Sequence, residues 1–175
     1  MSATDPQRQF ELVVVPHLDA AYNLARWLAG NDHDAEDIAQ EASLRAFRFL
    51  GGFRGGNSRS WLLTIVRNTA YTWLKQNRPQ AIVSIAEDEL HEIEDPEALR
   101  NHSSALHHAD RDVLCAALEQ LPTEFREVLI LRELEGLSYK EISEVADAPI
   151  GTVMSRLARA RKQLQDFLVN KGELP

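Results

Sequence analysis

Between Thr152 and Lys162, polar and cationic side chains recur at intervals that gather them on one side of a helix. At ~100° per residue, with Val153 as zero, Leu157, Ala160 and Leu164 fall within about 40° and form an apolar stripe. Thr152, Ser155, Arg159 and Lys162 take the opposite arc, Arg156 and Arg161 the flanks, and no acid occurs before Asp166. Short polar groups at a helix amino end with cations below them suit a DNA major groove. There the amino end approaches base edges and the cations hold phosphates. The same pattern also fits an amphipathic helix in an ordinary bundle.

A second set lies upstream. Phe53, Arg54, two glycines, Asn57, Ser58 and Arg59 form a polar loop that leads into a helix carrying Arg67, Asn68, Tyr71, Lys75 and Arg78. Cations beside aromatics and amides suit single-stranded nucleic acid: cations track phosphates, rings stack on bases, and amides read exposed edges. The spacing of Trp61 and Trp73 predicts core packing for both, whereas Tyr71 and Asn68 are expected to be exposed. A third set is opposite in sign. Asp34, Asp37, Gln40 and Glu41 share a helix face, followed a turn later by Arg45 and Arg48. Acids repel a phosphate backbone, so this face suits a basic protein surface, or water alone.

The elements that must position these sets are helical, because strand alternation and hairpin turns are scarce while three- and four-residue apolar spacing is strong. A short segment ends near Pro16, and residues 17–29 read as a helix stopped by Gly30. Asn31 and Asp34 fit the cap of the next helix, whose apolar face is Ala35, Ile38, Ala39, Ala42, Ala46 and Phe49. Gly51-Gly52 ends it. A third helix carries Trp61, Leu62, Ile65, Val66, Ala70, Trp73 and Leu74 and stops before Pro79. Residues 81–110 read as an acidic linker, with a short helix conceivable near 96–106. The chain resumes with helices over 111–120 and 123–135, and Ser138 with Glu141 forms a capping box that opens a short helix to Ala146. Asp147-Ala148-Pro149 turns the chain into the last helix, 151–169, completing a helix-turn-helix. The expected fold is all-α, in two small helical domains (1–80 and 111–175) joined by that linker.

Charge sharpens the division. The 175 residues carry 19 Lys and Arg against 27 Asp and Glu, a net −8 that taken as an average argues against nucleic acid. Residues 31–41 hold five acids and no Lys or Arg, whereas residues 42–86 hold seven cations and no acid. Residues 87–100 return to seven acids against Arg100, and residues 150–175 carry five cations and two acids. Islands of one sign are what a phosphate-binding footprint looks like. The single cysteine, Cys115, excludes an internal disulfide and is expected as a small core residue. Apolar runs fall far short of the ~20 residues of a membrane span, and the acidic amino terminus is unlike a signal peptide, so no membrane insertion and a cytoplasmic location are expected. His107, His108, Asp110 and Asp112 lack metal-ligand spacing. No cofactor, metal or catalytic residue is expected.

Two sets of motifs carry a resemblance. Gly30-Asn31-Asp32-His33-Asp34-Ala35-Glu36-Asp37-Ile38-Ala39-Gln40-Glu41-Ala42, then Phe53-Arg54-Gly55, Trp61-Leu62 and Val66-Arg67-Asn68 resemble region 2 of extracytoplasmic-function (ECF) sigma factors of the sigma-70 family. Leu121-Pro122, Arg126-Glu127-Val128-Leu129, Leu134-Glu135-Gly136-Leu137-Ser138-Tyr139-Lys140-Glu141-Ile142 and Gly151-Thr152-Val153-Met154-Ser155-Arg156-Leu157-Ala158-Arg159-Ala160-Arg161 resemble region 4. The resemblance spans about 17–80 and 111–168.

It implies a bacterial alternative sigma factor that binds core RNA polymerase and directs it to specific promoters, including those of stress responses. On this resemblance Asp34, Asp37, Gln40, Glu41 and Arg45 meet the β′ clamp helices, and the β flap is a further polymerase contact. Phe53, Arg54, Asn57, Arg59, Arg67, Asn68, Tyr71 and Lys75 melt and read the −10 element as single-stranded DNA. Thr152, Ser155, Arg156, Arg159 and Lys162 read the −35 element as duplex, and the acidic linker threads polymerase channels that later hold RNA. An anti-sigma factor is a further implied partner. Thr72 stands where the family often has Asp, Met154 where it often has a cation, and the 53–61 loop is about one residue short; these departures bear on promoter sequence. The alternative is a stand-alone helix-turn-helix regulator, which explains the last helix but neither the acid-free island nor the acidic linker.

Overall fold

The computed structural model describes residues 5–81 and 111–172, which fall into two compact units. The linker expected over 81–110, and the short helix within it, lie outside the described residues beyond Ala81. Among the described residues every regular element is helical.

The first unit begins with α1 (Pro6–Val13), which the sequence reading passed over as a short segment. Its signal is local: the Asp5 carboxylate accepts from Gln7 N–H at 3.1 Å, and Pro6 opens the helix where a missing N–H costs nothing. A 3-10 turn (Val15–His17) leads to α2 (Leu18–Ala29), which ends at Gly30 in the left-handed conformation, φ 84°. Asn31 then caps α3 (Asp32–Phe49), its side-chain oxygen accepting from Asp34 N–H at 2.9 Å. A 3-10 turn (Leu50–Gly52) and an open loop precede α4 (Ser58–Asn77), capped by Asn57, and the chain leaves through a last 3-10 turn (Pro79–Ala81).

Helices α2, α3 and α4 pack pairwise into a three-helix bundle. Its core holds Leu24, Leu28, Ile38, Leu62, Leu63, Val66 and Leu74, all buried. Small residues on α3 (Ala35, Ala42, Ala46) let the neighbouring helices approach closely. The stripe predicted for α3 holds at those positions and at Ile38, but Phe49 is 62% exposed, because the helix ends there and the following turn carries Leu50 inward instead. Neither Trp61 nor Trp73 is a core residue; both are half-buried, and Leu63 and Thr69 take interior places beside Leu62, Val66, Ala70 and Leu74.

The second unit contains α5 (Arg111–Gln120), α6 (Thr123–Glu133), α7 (Tyr139–Ala146) and α8 (Ile150–Asn170). Both α5 and α6 pack against α8. Arg126 binds the break between α5 and α6 by donating to the carbonyls of Leu118 and Leu121, each at 3.0 Å. Gly136, at φ 66°, turns the chain after α6. The capping box forms as expected: Ser138 Oγ accepts from Glu141 N–H at 3.2 Å, and the Glu141 carboxylate accepts from Ser138 N–H at 2.8 Å. The interior includes Phe125, Val128, Leu131, Leu137 and Ile142, together with Val153, Leu157, Ala160 and Leu164, the stripe read from the sequence.

Candidate polymerase and nucleic-acid interfaces

On α3 the acidic set divides. Asp37 and Gln40 are exposed, and Glu41 is half-exposed and accepts from Arg45 Nε at 2.9 Å, one turn on. Asp34 lies at the buried edge of this face. Its side chain is only 16% exposed, accepts from Asn31 Nδ2 at 2.7 Å, and pairs with Arg78, just past α4, at 3.1 Å. The expectation that Asp34 is exposed with Asp37 is therefore corrected: it lies on the same side of the helix, but Arg78, just past the end of α4, draws its carboxylate inward. One ligand atom each of His33, Asp34 and Asp37 lies within 4.8 Å of the others, but the Arg78 and Asn31 contacts make this an ion-paired helix start.

Beside Gln40 the surface becomes apolar. Phe10, Leu18, Tyr22, Ala39, Ser43, Leu44 and Phe47 line an open groove of about 670 Å³ between α1, α2 and α3, with Asp19 and Gln40 also at its walls. Leu44 and Phe47 are 55% and 50% exposed, and Phe10 meets Phe47 edge-to-face with ring centroids 5.7 Å apart. Sequence reasoning missed this feature. The available signal was an apolar pair, Leu44 and Phe47, three residues apart and out of phase with the core stripe.

The basic surface of the first unit is carried by the 53–57 loop and α4. Gly55 and Gly56 both have positive φ (89° and 92°), which keeps the loop in a conformation other residues rarely adopt. Phe53 leans on Trp61 at 5.2 Å between centroids. Arg54, Asn57, Asn68 and Lys75 are exposed, and Arg59, Arg67 and Tyr71 are half-buried. The Arg67 guanidinium lies 4.1 Å from the Tyr71 ring centroid and donates to Asn68 Oδ1 at 3.3 Å, so cation, ring and amide form one cluster. The exposure expected for Asn68 is observed; Tyr71 shares its face with Arg67.

On α8, Lys162 is exposed and Thr152 and Arg159 are half-exposed. Ser155, placed on the outward arc by angle, is 3% exposed; its short side chain folds back and the hydroxyl donates to Gly151 C=O at 3.0 Å. Arg156 and Arg161 turn inward from the flanks. Arg156 lies 3.7 Å from Glu124, with 13% of its side chain exposed. Arg161 pairs with Glu133 at 2.6 Å and is 4% exposed. Both long side chains reach across to acids on α6, a pairing that helical angle alone does not contain.

A bundle with a segregated acidic face and a cation–aromatic–amide surface, and a second unit built on a helix-turn-helix, define a transcription factor with two separate binding parts. The sigma-70 region 2 family matches residues 13–80 and the sigma-70 region 4 family matches residues 111–164. The ECF RNA polymerase sigma factor SigE of Mycolicibacterium smegmatis is 38% identical over 157 residues, covering 89% of this chain, which spans 60% of that protein's length. The RNA polymerase sigma-H factor of Pseudomonas aeruginosa is 37% identical over 175 residues, covering 93% of this chain and 87% of its own length. The ECF RNA polymerase sigma-E factor of Escherichia coli is 37% identical over 172 residues, covering 91% and 86%. The sigma factor RpoE from Bartonella quintana, solved with the anti-sigma factor NepR, superposes with a TM-score of 0.66 at 27% identity, covering 93% of this chain and 96% of that one. The chain belongs to the ECF group of the sigma-70 family. It is an alternative sigma factor, a transcription initiation factor that directs RNA polymerase to promoters, and a stand-alone regulator is not favoured. Among the described residues no helix is long and apolar enough to cross a membrane.

Proposed function

We propose that the outward acidic face of α3, Asp37 with Gln40 and Glu41, docks on core polymerase, with Arg45 holding Glu41 in place. The groove that begins at Gln40 continues the same surface, Leu44 and Phe47 supplying apolar contact inside an acidic and amide rim. Asp34 contributes to it by fixing the start of α3. The single observation that carries this reading is the separation of sign within one bundle. Asp37 and Glu41 stand on α3 while Arg59, Arg67 and Lys75 stand on α4, so a basic protein surface and a phosphate backbone can be held by different faces.

The loop and α4 (Phe53, Arg54, Asn57, Arg59, Arg67, Asn68, Tyr71, Lys75) take the −10 element as single strand, and the half-buried tyrosine with its arginine offers a stacking platform. Thr152, Arg159 and Lys162 of α8 face the −35 duplex. Ser155 and Arg156 contribute there through the helix they are bound into, Ser155 by its bond to Gly151 and Arg156 beside Glu124. The boundaries that follow are residues 1–80 for polymerase docking and melting, 81–110 for an acidic linker, and 111–175 for −35 recognition. By kinship with the NepR-bound relative, an anti-sigma factor is a further partner. Catalysis stays with the polymerase, and the site of action is the cytoplasm.

Transcription with purified core polymerase across a genomic promoter pool tests this. The chain should confer initiation at a discrete promoter set and bind duplex promoter DNA weakly without polymerase. Tight binding of the chain alone to a palindromic duplex would instead support a stand-alone regulator. Within that assay, Arg159→Ala should lower initiation about fivefold or more at promoters that depend on the −35 element, the loss of one cation or base contact being worth roughly 1–3 kcal/mol. Normal initiation at every promoter in the set would remove Arg159 from the interface.

A further inference from the structure

The first turn of α4 is poorly supported by its own sequence. It contains no acidic residue and carries Arg59, a cation at the positive end of the helix dipole. It follows two glycines whose surroundings are open: a Cβ at Gly55 or Gly56 would meet no atom within 4 Å. Asn57 caps the helix locally by accepting from Ser60 N–H at 3.0 Å. One further bond comes from far along the chain. His17 Nε2 lies 3.0 Å from Ser58 Oγ, across 41 positions.

His17 is well placed to act as an anchor. It closes the 3-10 turn between α1 and α2, follows Pro16, and its own N–H donates to Val14 C=O at 2.9 Å. Its pKa is lowered by burial first and then by Arg59, so the imidazole is neutral near pH 7 and adds no positive charge to a helix start that already holds one. Ser58 is the first residue of α4, next to Asn57 and Arg59 and directly after the loop bearing Phe53 and Arg54.

We propose that His17 is a positioning residue for promoter opening: its hydrogen bond to Ser58 fixes the first turn of α4 and thereby aims the 53–59 segment at the unpaired −10 strand. The inference rests on the reading of that segment as the −10 contact. It assigns a role to the 15–17 turn, none of whose residues is among those proposed above to contact DNA or polymerase.

Holoenzyme assembled from core polymerase and the full chain tests it, with three readouts: affinity for core, thermal unfolding of the chain, and the rate of open-complex formation followed by permanganate reactivity. His17→Leu and Ser58→Ala should each slow opening about fivefold, the worth of one net hydrogen bond, while core affinity stays within about twofold. His17→Gln sets a hydrogen-bonding group near the Nε2 position without charge and should restore opening to within about twofold of the original. The double variant His17→Leu/Ser58→Ala should be no slower than either single one. Opening at the normal rate in both single variants would overturn the proposal, as would a glutamine variant as slow as the leucine one, or a core affinity that falls in step with opening. Asn68→Ala, measured alongside, reports on the underlying reading: normal opening there overturns the −10 assignment itself, whereas slow opening there beside normal opening in His17→Leu overturns the positioning role alone.

Discussion

Replacing Asp37 with lysine should weaken assembly with core polymerase by about tenfold or more, equivalent to ~1.4 kcal/mol, and leave thermal unfolding of the chain nearly unchanged. The two halves of that expectation come from the same geometry. The Asp37 side chain is 49% exposed, and its nearest ionic neighbour, His33 on the same helix, is 3.8 Å away and 85% exposed, so little internal structure depends on it. Exposed pairs of that kind contribute well under about 1 kcal/mol. Against a basic partner, however, the substitution changes the local charge by two units and turns attraction into like-charge contact, which lowers association rate and affinity together. Titration of labelled chain with core polymerase at two salt concentrations would show the loss and a weaker salt dependence. Asp37→Asn, which removes the charge without reversing it, should fall between. Unchanged affinity for the lysine variant would remove this face of α3 from the polymerase interface.

Where the sequence was legible, the cause was local. Gly30 ends α2 because a left-handed residue is needed there, Asn31 and Asn57 cap α3 and α4 through bonds spanning three residues, and Ser138 with Glu141 forms the capping box. Periodicity also sufficed for Val153, Leu157, Ala160 and Leu164, because a stripe needs only a face to bury. Asp5-Pro6 was an equally local start signal for α1. What was not legible depends on contacts between distant elements. Angle places Asp34 beside Asp37 and Arg161 on the flank of the last helix, yet the Asp34 carboxylate is drawn inward by Arg78 and Arg161 by Glu133, 28 residues earlier. A charged side chain long enough to cross to a neighbouring helix is assigned by where that helix lies. Burial of the two tryptophans was overestimated for a related reason: three-helix packing is satisfied by Leu62, Leu63, Val66 and Leu74, leaving Trp61 to meet Phe53 and Trp73 to lie near Arg78. The candidate site was thus readable as residue types on faces, and became specific only when the bundle turned the Asp34 carboxylate inward and added Leu44 and Phe47.

Arg78→Ala should be the most destabilising surface-adjacent substitution in the first unit, at about 2 kcal/mol. Arg78 follows α4, and its guanidinium joins three helix ends: it pairs with Asp34 near the start of α3 at 3.1 Å, donates to Ala29 C=O at the end of α2, and lies 5.9 Å from the Trp73 ring centroid. The carbonyl end of α2 is the negative pole of that helix, so a cation there is favourable beyond the hydrogen bond. With alanine, the Asp34 carboxylate, 16% exposed, keeps only its bonds within the cap, including Asn31 Nδ2, and the Ala29 carbonyl loses a donor. Stranding a mostly buried charge costs about 3–5 kcal/mol when both partners are desolvated. Arg78 is 39% exposed, so water already screens part of the pair and a smaller loss of about 2 kcal/mol is expected. For a unit of this size that corresponds to a fall in Tm of roughly 10 °C. The reverse truncation, Asp34→Ala, should cost less, because the freed guanidinium can reach water while retaining Ala29 C=O. The double variant should be less destabilised than the sum of the two by about 1 kcal/mol. Additive losses, or an Arg78→Ala variant within about 0.5 kcal/mol of the original, would show that the three helix ends are held by apolar packing alone. The distinction matters for activity because α3 bears the acidic face proposed to dock on polymerase and α4 the basic one proposed to meet DNA. If Arg78 fixes their relative angle, its loss should lower transcription at temperatures below the unfolding transition, while the Asp37→Lys variant, intact in fold, loses it at every temperature through failure to assemble.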